Sequence, residues 1–375
     1  MKKFAKMSLV AAVAVAGLST TSSATALTEA IKGVDVSGYV RYRFTNTENK
    51  KAAAGTGATS TDLYKIYTSA KIPVNDAVTA QIGLLVGEAD VSEAEANPAV
   101  VVKQANFTIK TGVATLIAGK QSIGIPVTDA ADNMGTALVA VVPAGPATIV
   151  AAHATATNLM VGANNYKDAS VTVVGALAAI GGVNVEAWDI DGSKNAVFTS
   201  KGIDAQFFAA SGNVAGVALA AKHATLDTNL LGSGKDQEST TVTAAGKVGA
   251  VSLVAGYHTT GDKGGLVAFD NDAKSTFTIE QFSTNSDGVN DAEALYVSAS
   301  MPVGPLVATV EYGSGDFKTT DAATAKKDAK ETVVALAYSM SKNFKISGFV
   351  SNYQTSLSGT ETEVEKSRVE VKYTF

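Results

Sequence analysis

Hydrophobic and polar positions alternate every second residue over most of the chain, the period of a strand with one greasy and one wet face. Over 34–44 one face carries Val34, Val36, Val40, Tyr42 and Phe44, and the other Asp35, Ser37, Tyr39, Arg41 and Arg43. Residues 64–72 set Tyr64, Ile66, Ala70 and Ile72 against Lys65, Tyr67, Ser69 and Lys71. At the far end Val369, Val371, Tyr373 and Phe375 oppose Arg368, Glu370, Lys372 and Thr374. The longest apolar run, 136–152, is cut by Pro143-Ala144-Gly145-Pro146, which fits two strands around a tight turn better than a membrane-crossing helix.

The pattern predicts 18 strands: 34–46, 62–72, 78–87, 101–110, 113–121, 136–143, 146–155, 169–178, 183–191, 202–211, 215–225, 239–247, 250–258, 292–302, 305–312, 331–340, 344–354 and 364–375. A count of 16 is the alternative, should two candidates fail. Short turns and longer polar segments alternate along the whole chain, the last long segment being 355–363. A chain weaving up and down through a bilayer has this asymmetry, with short periplasmic turns and long outer loops. Hydrocarbon offers no hydrogen bonds, so a sheet that spans it must close. The expected fold is all-β: a closed antiparallel transmembrane β-barrel with an apolar outside and a polar inside. A β-helix would show a repeat, and none is found. A β-sandwich gives no reason for loop lengths to alternate.

The start of the chain follows a different rule. Lys2, Lys3 and Lys6 precede a short apolar core, 7–18, and Ala24-Thr25-Ala26 is a small-x-small cleavage site. Residues 1–26 are expected to be a secretory signal peptide, leaving 27–375 as the barrel. The formal charge is −5 overall and more negative without those lysines, so no basic surface for nucleic acid is expected. With no Cys, thiolate metal sites and Cys catalysis are excluded. His153, His223 and His258 are scattered, and no nucleophile elbow or phosphate loop occurs, so the chain is not expected to be an enzyme.

Ala30-Ile31-Lys32-Gly33-Val34-Asp35-Val36-Ser37-Gly38-Tyr39-Val40-Arg41-Tyr42-Arg43 resembles the mature start of the Campylobacter-type major outer membrane protein family. Leu116-Ile117-Ala118-Gly119-Lys120-Gln121, followed by Thr128-Asp129, is a second match, and 369–375 a third that many outer-membrane proteins share. The resemblance implies a trimeric, 18-stranded general porin in the outer membrane of a Gram-negative bacterium. It also implies that the connection after the fifth strand, about 122–135, folds into the barrel and narrows it. A divalent cation such as calcium near the narrowing is a further implication, with Asp129 at the matched position. Where the family carries another acid nearby, this sequence has Asn133, with Asp132 shifted by one. No other cofactor is implied.

Charges on the inward face of such a wall set the field that a permeating ion meets. Arg41, Arg43, Lys65, Lys71, Arg368 and Lys372 fall on the first, second and last strands, which are neighbours once the sheet closes. Opposite them stand Asp129 and Asp132 of the narrowing loop, with Glu186, Asp204 and Glu311 as further inward acids. Asp189-Ile190-Asp191-Gly192, Asp270-Asn271-Asp272 and 287–291 lack the EF-hand spacing and are expected at turns. The function expected is passive diffusion of ions and small hydrophilic solutes across the outer membrane. The alternatives are a substrate-specific channel on the same scaffold, or a surface adhesin displaying the long segment 259–291.

Overall fold

The structure is a computed structural model that describes residues 33–51, 56–87, 100–161, 164–165, 170–193, 202–227, 236–320 and 322–375. The expected signal peptide, 1–26, lies outside the described residues. Twenty strands are present: β1 Asp35–Lys51, β2 Gly57–Pro73, β3 Val78–Val86, β4 Val100–Lys110, β5 Thr115–Ser122, β6 Met134–Ala144, β7 Ala147–Thr157, β8 Met160–Val161, β9 Asn164–Asn165, β10 Val171–Ile180, β11 Val183–Gly192, β12 Ile203–Val214, β13 Val217–Asp227, β14 Asp236–Val248, β15 Val251–Thr260, β16 Asn290–Val303, β17 Leu306–Lys318, β18 Lys326–Ser339, β19 Phe344–Leu357 and β20 Thr360–Thr374. β8 and β9 pair only with each other; the other eighteen form one antiparallel sheet.

That sheet closes. β1 pairs with β20 from Tyr39↔Thr374 to Lys51↔Glu363, and Gly38 and Phe375 exchange two backbone hydrogen bonds of 3.0 Å beyond the ladder. The terminal strands therefore leave no free edge at the seam, as a hydrocarbon environment requires. All 18 predicted strands appear in order. Among the described residues no helix is long and apolar enough to cross a membrane, which says nothing against crossing by strands.

Tight connections at one end (145–146, 181–182, 215–216, 249–250, 304–305) face longer ones at the other, of which 261–289 is the longest. Two expectations about these ends need correction. Several strands run well past their predicted outer limits, because above the apolar band both faces turn polar and the alternation vanishes from the sequence. The connection expected at 355–363 is thus not a long loop but the two-residue turn Ser358-Gly359, both at positive φ (50° and 83°), the geometry that matches strand twist.

The outward face carries the expected apolar band, with Val40, Tyr42, Val174, Phe208, Leu295, Val334 and Val369 exposed. The inward face departs from expectation. On β10 to β13 it too is apolar: Val173, Trp188, Ile190, Ile203, Ala205, Phe207, Ala224 and Leu226 point inward and are buried. They are covered by Ile123 and Val127 of segment 123–133 and by Leu266, Val267, Ala268, Phe269 and Ala273 of segment 261–289. This sector of the barrel therefore encloses an apolar core, where a wet lumen throughout was expected. Asp204 is corrected by the same alternation: its neighbours Ile203 and Ala205 face in, so Asp204 is exposed outside, in register with Asp191 and Asp227. Asp189 and Asp191 sit at the end of β11, within the strand predicted over 183–191.

Inward Phe207 and outward Phe208 are adjacent and test this arrangement. Phe207→Ala is expected to cost about 3–5 kcal/mol, as for a buried aromatic, and Phe208→Ala clearly less. Equilibrium unfolding in lipid vesicles measures both, and equal losses would contradict a core inside the barrel.

Candidate functional site

Two segments enter the lumen from the outer end and meet. Phe269 donates its backbone N–H to Val127 O, and Ser275 donates to Pro126 O, both at 2.8 Å. Segment 123–133 falls in the connection after the fifth strand, expected to narrow the barrel at about 122–135. It is folded on itself: the Asn133 and Asp132 amides donate to Asp129 O, and the Asn133 side chain accepts from the Asp129 amide. Close to its junction with β6, Asp132 reaches the wall, taking Lys65 of β2 at 3.0 Å and Lys103 of β4 at 3.2 Å. Burial alone would raise the Asp132 carboxyl, but the two lysines outweigh it and hold it below the usual carboxylate value. Lys103 faces inward because the β3–β4 register shifts between Gly83 and Leu84, a bulge that strict alternation hides.

Segment 261–289 crosses further. Near its root, buried His258 of β15 is bracketed by Thr241 at 2.8 Å and Thr284 at 2.7 Å, with Phe277 stacked on its ring at 4.7 Å. Lys222 of β13 donates to Lys274 O at 2.8 Å and to Thr276 O. The tip is a small hairpin, with Thr278 bridged to Ser283 and Ile279 N donating to Phe282 O at 3.0 Å. There Glu280 takes Lys366 at 2.7 Å and Arg368 at 3.5 Å, on the opposite wall.

Between the two tips the wall of β1 and β20 stays open. Glu370 accepts from Arg43 at 2.7 and 3.0 Å and lies 4.0 Å from Arg41. Three carboxylates, Glu370, Glu280 and Asp132, are thus each shared by two bases, and the wall keeps a surplus of positive charge. Arg368 also donates to Thr45 at 3.1 Å and lies over the Phe349 ring, 5.2 Å from its centroid. Lys372 rests over Tyr39, and Lys71 lies beyond it toward the short-turn rim.

The inward acids divide. Glu186 accepts from the Trp188 indole at 3.1 Å and pairs with Lys274, so it braces the long segment. Glu311 accepts from Tyr296 at 2.8 Å and lines a cavity of about 330 Å³ with Arg43, Lys345, Arg368 and Glu370. Asp129 meets Asp270 and Asp272 of the long segment, their carboxylate oxygens lying within 4.8 Å of one another. Burial, and then the charge of Asp129 and Asp272, pushes the Asp270 carboxyl up. Sequence reasoning missed Lys366 and Glu370, although they share the inward parity of Arg368. Nothing in the sequence placed Glu280, Asp270 or Asp272, because a loop carries no period.

Residues 1–168 match the model of the Campylobacter major outer membrane protein family. The match covers the first two motifs on which the resemblance rests. Among solved structures the chain is similar to Acinetobacter baumannii OccAB1 (TM-score 0.69, 12% identity, 91% of this chain and 97% of that one). It is also similar to Pseudomonas aeruginosa OpdQ (0.65, 11%, 93% and 99%) and to OccK9, or OpdG, of the same organism (0.68, 14%, 92% and 100%). At such identities the likeness speaks for the fold. No curated protein matches. The match over the first 168 residues and the closed 18-stranded barrel both support a reading as an outer-membrane channel.

The depressed Asp132 carboxyl has a readable consequence. A carboxylate held below its ordinary value of 3.8 stabilises its attachment at neutral pH and loses that contribution as pH falls through the lowered value. Amide exchange over 123–133, corrected for its intrinsic pH dependence, should accelerate only below about pH 4. In Asp132→Asn it should already be fast at neutral pH, and a wild-type rate there would refute the tether.

Proposed function

We propose that ions and small hydrophilic solutes diffuse through the polar half of the lumen, between the two inward segments and the wall of β1, β2 and β20, with no chemical step. The carrying observation is the row of bases on β1, β2, β4 and β20, met by Asp132 and Glu280 of the inward segments, with Asp129, Asp270 and Asp272 clustered where those segments join. Opposed rows of unlike charge in a confined passage impose a transverse field that discriminates between ions. The long segment that an adhesin would display is packed inside the barrel, which favours the channel. A secretory leader at 1–26 and a homotrimeric assembly belong to the same reading, supported by the leader-like composition and by the family resemblance.

A calcium ion held by Asp129, with Asp270 and Asp272, completes the proposal. Hard cations take oxygen ligands, and three carboxylates from two separate segments supply them. Asp129 is already oriented by the Ala131 amide at 2.8 Å, and Asp270 by the Asp272 amide at 3.0 Å. The ion would neutralise the repulsion that raises Asp270 and would fasten one segment to the other.

Selectivity is the first test. Replacing Arg41 and Arg43 by Gln leaves Glu370 uncompensated, so the reversal potential in a salt gradient should move toward cation preference. Glu370→Gln should move it the other way. Unchanged potentials in planar bilayers would remove this wall from the selectivity mechanism. The cation is tested separately: calcium should raise the unfolding temperature of the detergent-solubilised protein and fail to do so for Asp270→Asn. A wild-type protein indifferent to calcium would dispose of the site.

A further inference from the structure

Glu331 of β18 is an unusual carboxylate. It is fully buried, yet no base lies against it among the described residues. Its partners are three successive backbone amides at the tip of the long segment: Glu280 N at 3.3 Å, Gln281 N at 3.0 Å to either oxygen, and Phe282 N at 2.8 Å. The Ser351 hydroxyl is the fourth donor. Consecutive amides turned toward one point form a nest for an anion, and here the anion is supplied by the wall. Charge-assisted bonds of this kind are roughly twice as strong as neutral ones.

Further contacts seat the same tip: Phe282 is buried and stacks on Tyr353 of β19, and Phe277 lies edge-on to Tyr296 of β16. The Gln281 amide donates to Ser351 Oγ at 2.7 Å. Ile279 lies over Gly313 of β17, where an added Cβ would come 2.1 Å from its Cδ1. The tip hairpin therefore has a prepared seat on β17 to β19, and in that seat Glu280 neutralises Lys366 and Arg368.

We infer that Glu331 is the latch that positions the tip of segment 261–289 across the lumen, and that it thereby sets both the bore of the passage and the charge presented there. The inference rests on the diffusion pathway proposed above and names a positioning residue for it. With the latch closed, the tip occupies cross-section and Glu280 covers two bases. With the latch open, the passage widens and Lys366 and Arg368 face the permeating ion uncovered. One residue thus couples two properties that a merely structural contact would not link.

The test is single-channel recording in planar bilayers on barrels whose folding is established by heat-modifiable migration. Glu331→Gln and Glu331→Ala should each raise the conductance, admit larger uncharged solutes and shift the reversal potential toward anions, the alanine variant more strongly. Glu280→Gln should shift the reversal potential in the same direction without admitting larger uncharged solutes, because its backbone still binds Glu331. The chain has no Cys, so Gln281→Cys with Ser351→Cys can be bridged cleanly by a short bis-maleimide. In the Glu331→Ala background that bridge should restore the wild-type conductance. Glu331 variants with wild-type conductance, size limit and reversal potential would overturn the latch, as would a bridge that restores nothing. A silent wild-type protein would instead refute the diffusion pathway itself.

Discussion

Every backbone amide and carbonyl that crosses the bilayer must find its partner in a neighbouring strand, because hydrocarbon supplies none. That requirement forces β20 back onto β1 and leaves the sheet without an edge. It also fixes a circumference, since eighteen strands in one ring enclose more space than the side chains of the inner wall can fill. What occupies the surplus is then decided by the sequence of the inner wall, strand by strand.

The ring answers in two ways. Along β10 to β13 the inner wall is apolar, and such a wall cannot stay wet at low cost: each large side chain left in water forfeits about 1.5–3 kcal/mol. The two inward segments lie against this sector and cover it with Val127, Leu266, Val267 and Phe269. Around β1, β2 and β20 the wall is charged, and there the segments touch through Asp132, Glu280 and the Gln281 side chain. Greasy wall recruits filling and charged wall repels it, so the passage is left on the charged side.

The strand order and the closure were legible because a lipid-facing band imposes a strict period on one face whatever the other face does. The bases were legible for the same reason: Arg41, Arg43, Lys65 and Arg368 alternate with residues that must meet lipid. Where a second constraint enters, the signal weakens. Strands β6 and β7 were separated by their Pro143-Ala144-Gly145-Pro146 turn and not by alternation, because their inner face, partly packed on the core, is as apolar as the outer one. Asp204 was put on the wrong face because, near the outer end of β12, both faces had ceased to be diagnostic. The roles of Glu280, Glu331 and Asp270 depend on how a long loop folds in space, and no local pattern encodes that.

The two ends of the long segment are each packed against an apolar patch of wall, and the tip adds a carboxylate latch. Detaching the root would expose Trp188, Ile190, Phe207 and Leu226 along with their covers, and water offers these groups nothing in return. Detaching the tip would likewise expose Phe277 and Phe282, which are buried with Ala294, Phe317, Ala329 and Tyr353. It would also exchange hydrogen bonds and ion pairs for equivalent ones with water, at a small net cost of about 0.5–1.5 kcal/mol for an ordinary bond and 1.5–3 for one to a charged group. Packing therefore holds the hairpin against β16 to β19, and the polar contacts of Glu331 and Glu280 fix where on that wall it sits. A segment packed at both ends is a strut, and its tip carries Glu280 beside the charged wall where ions pass.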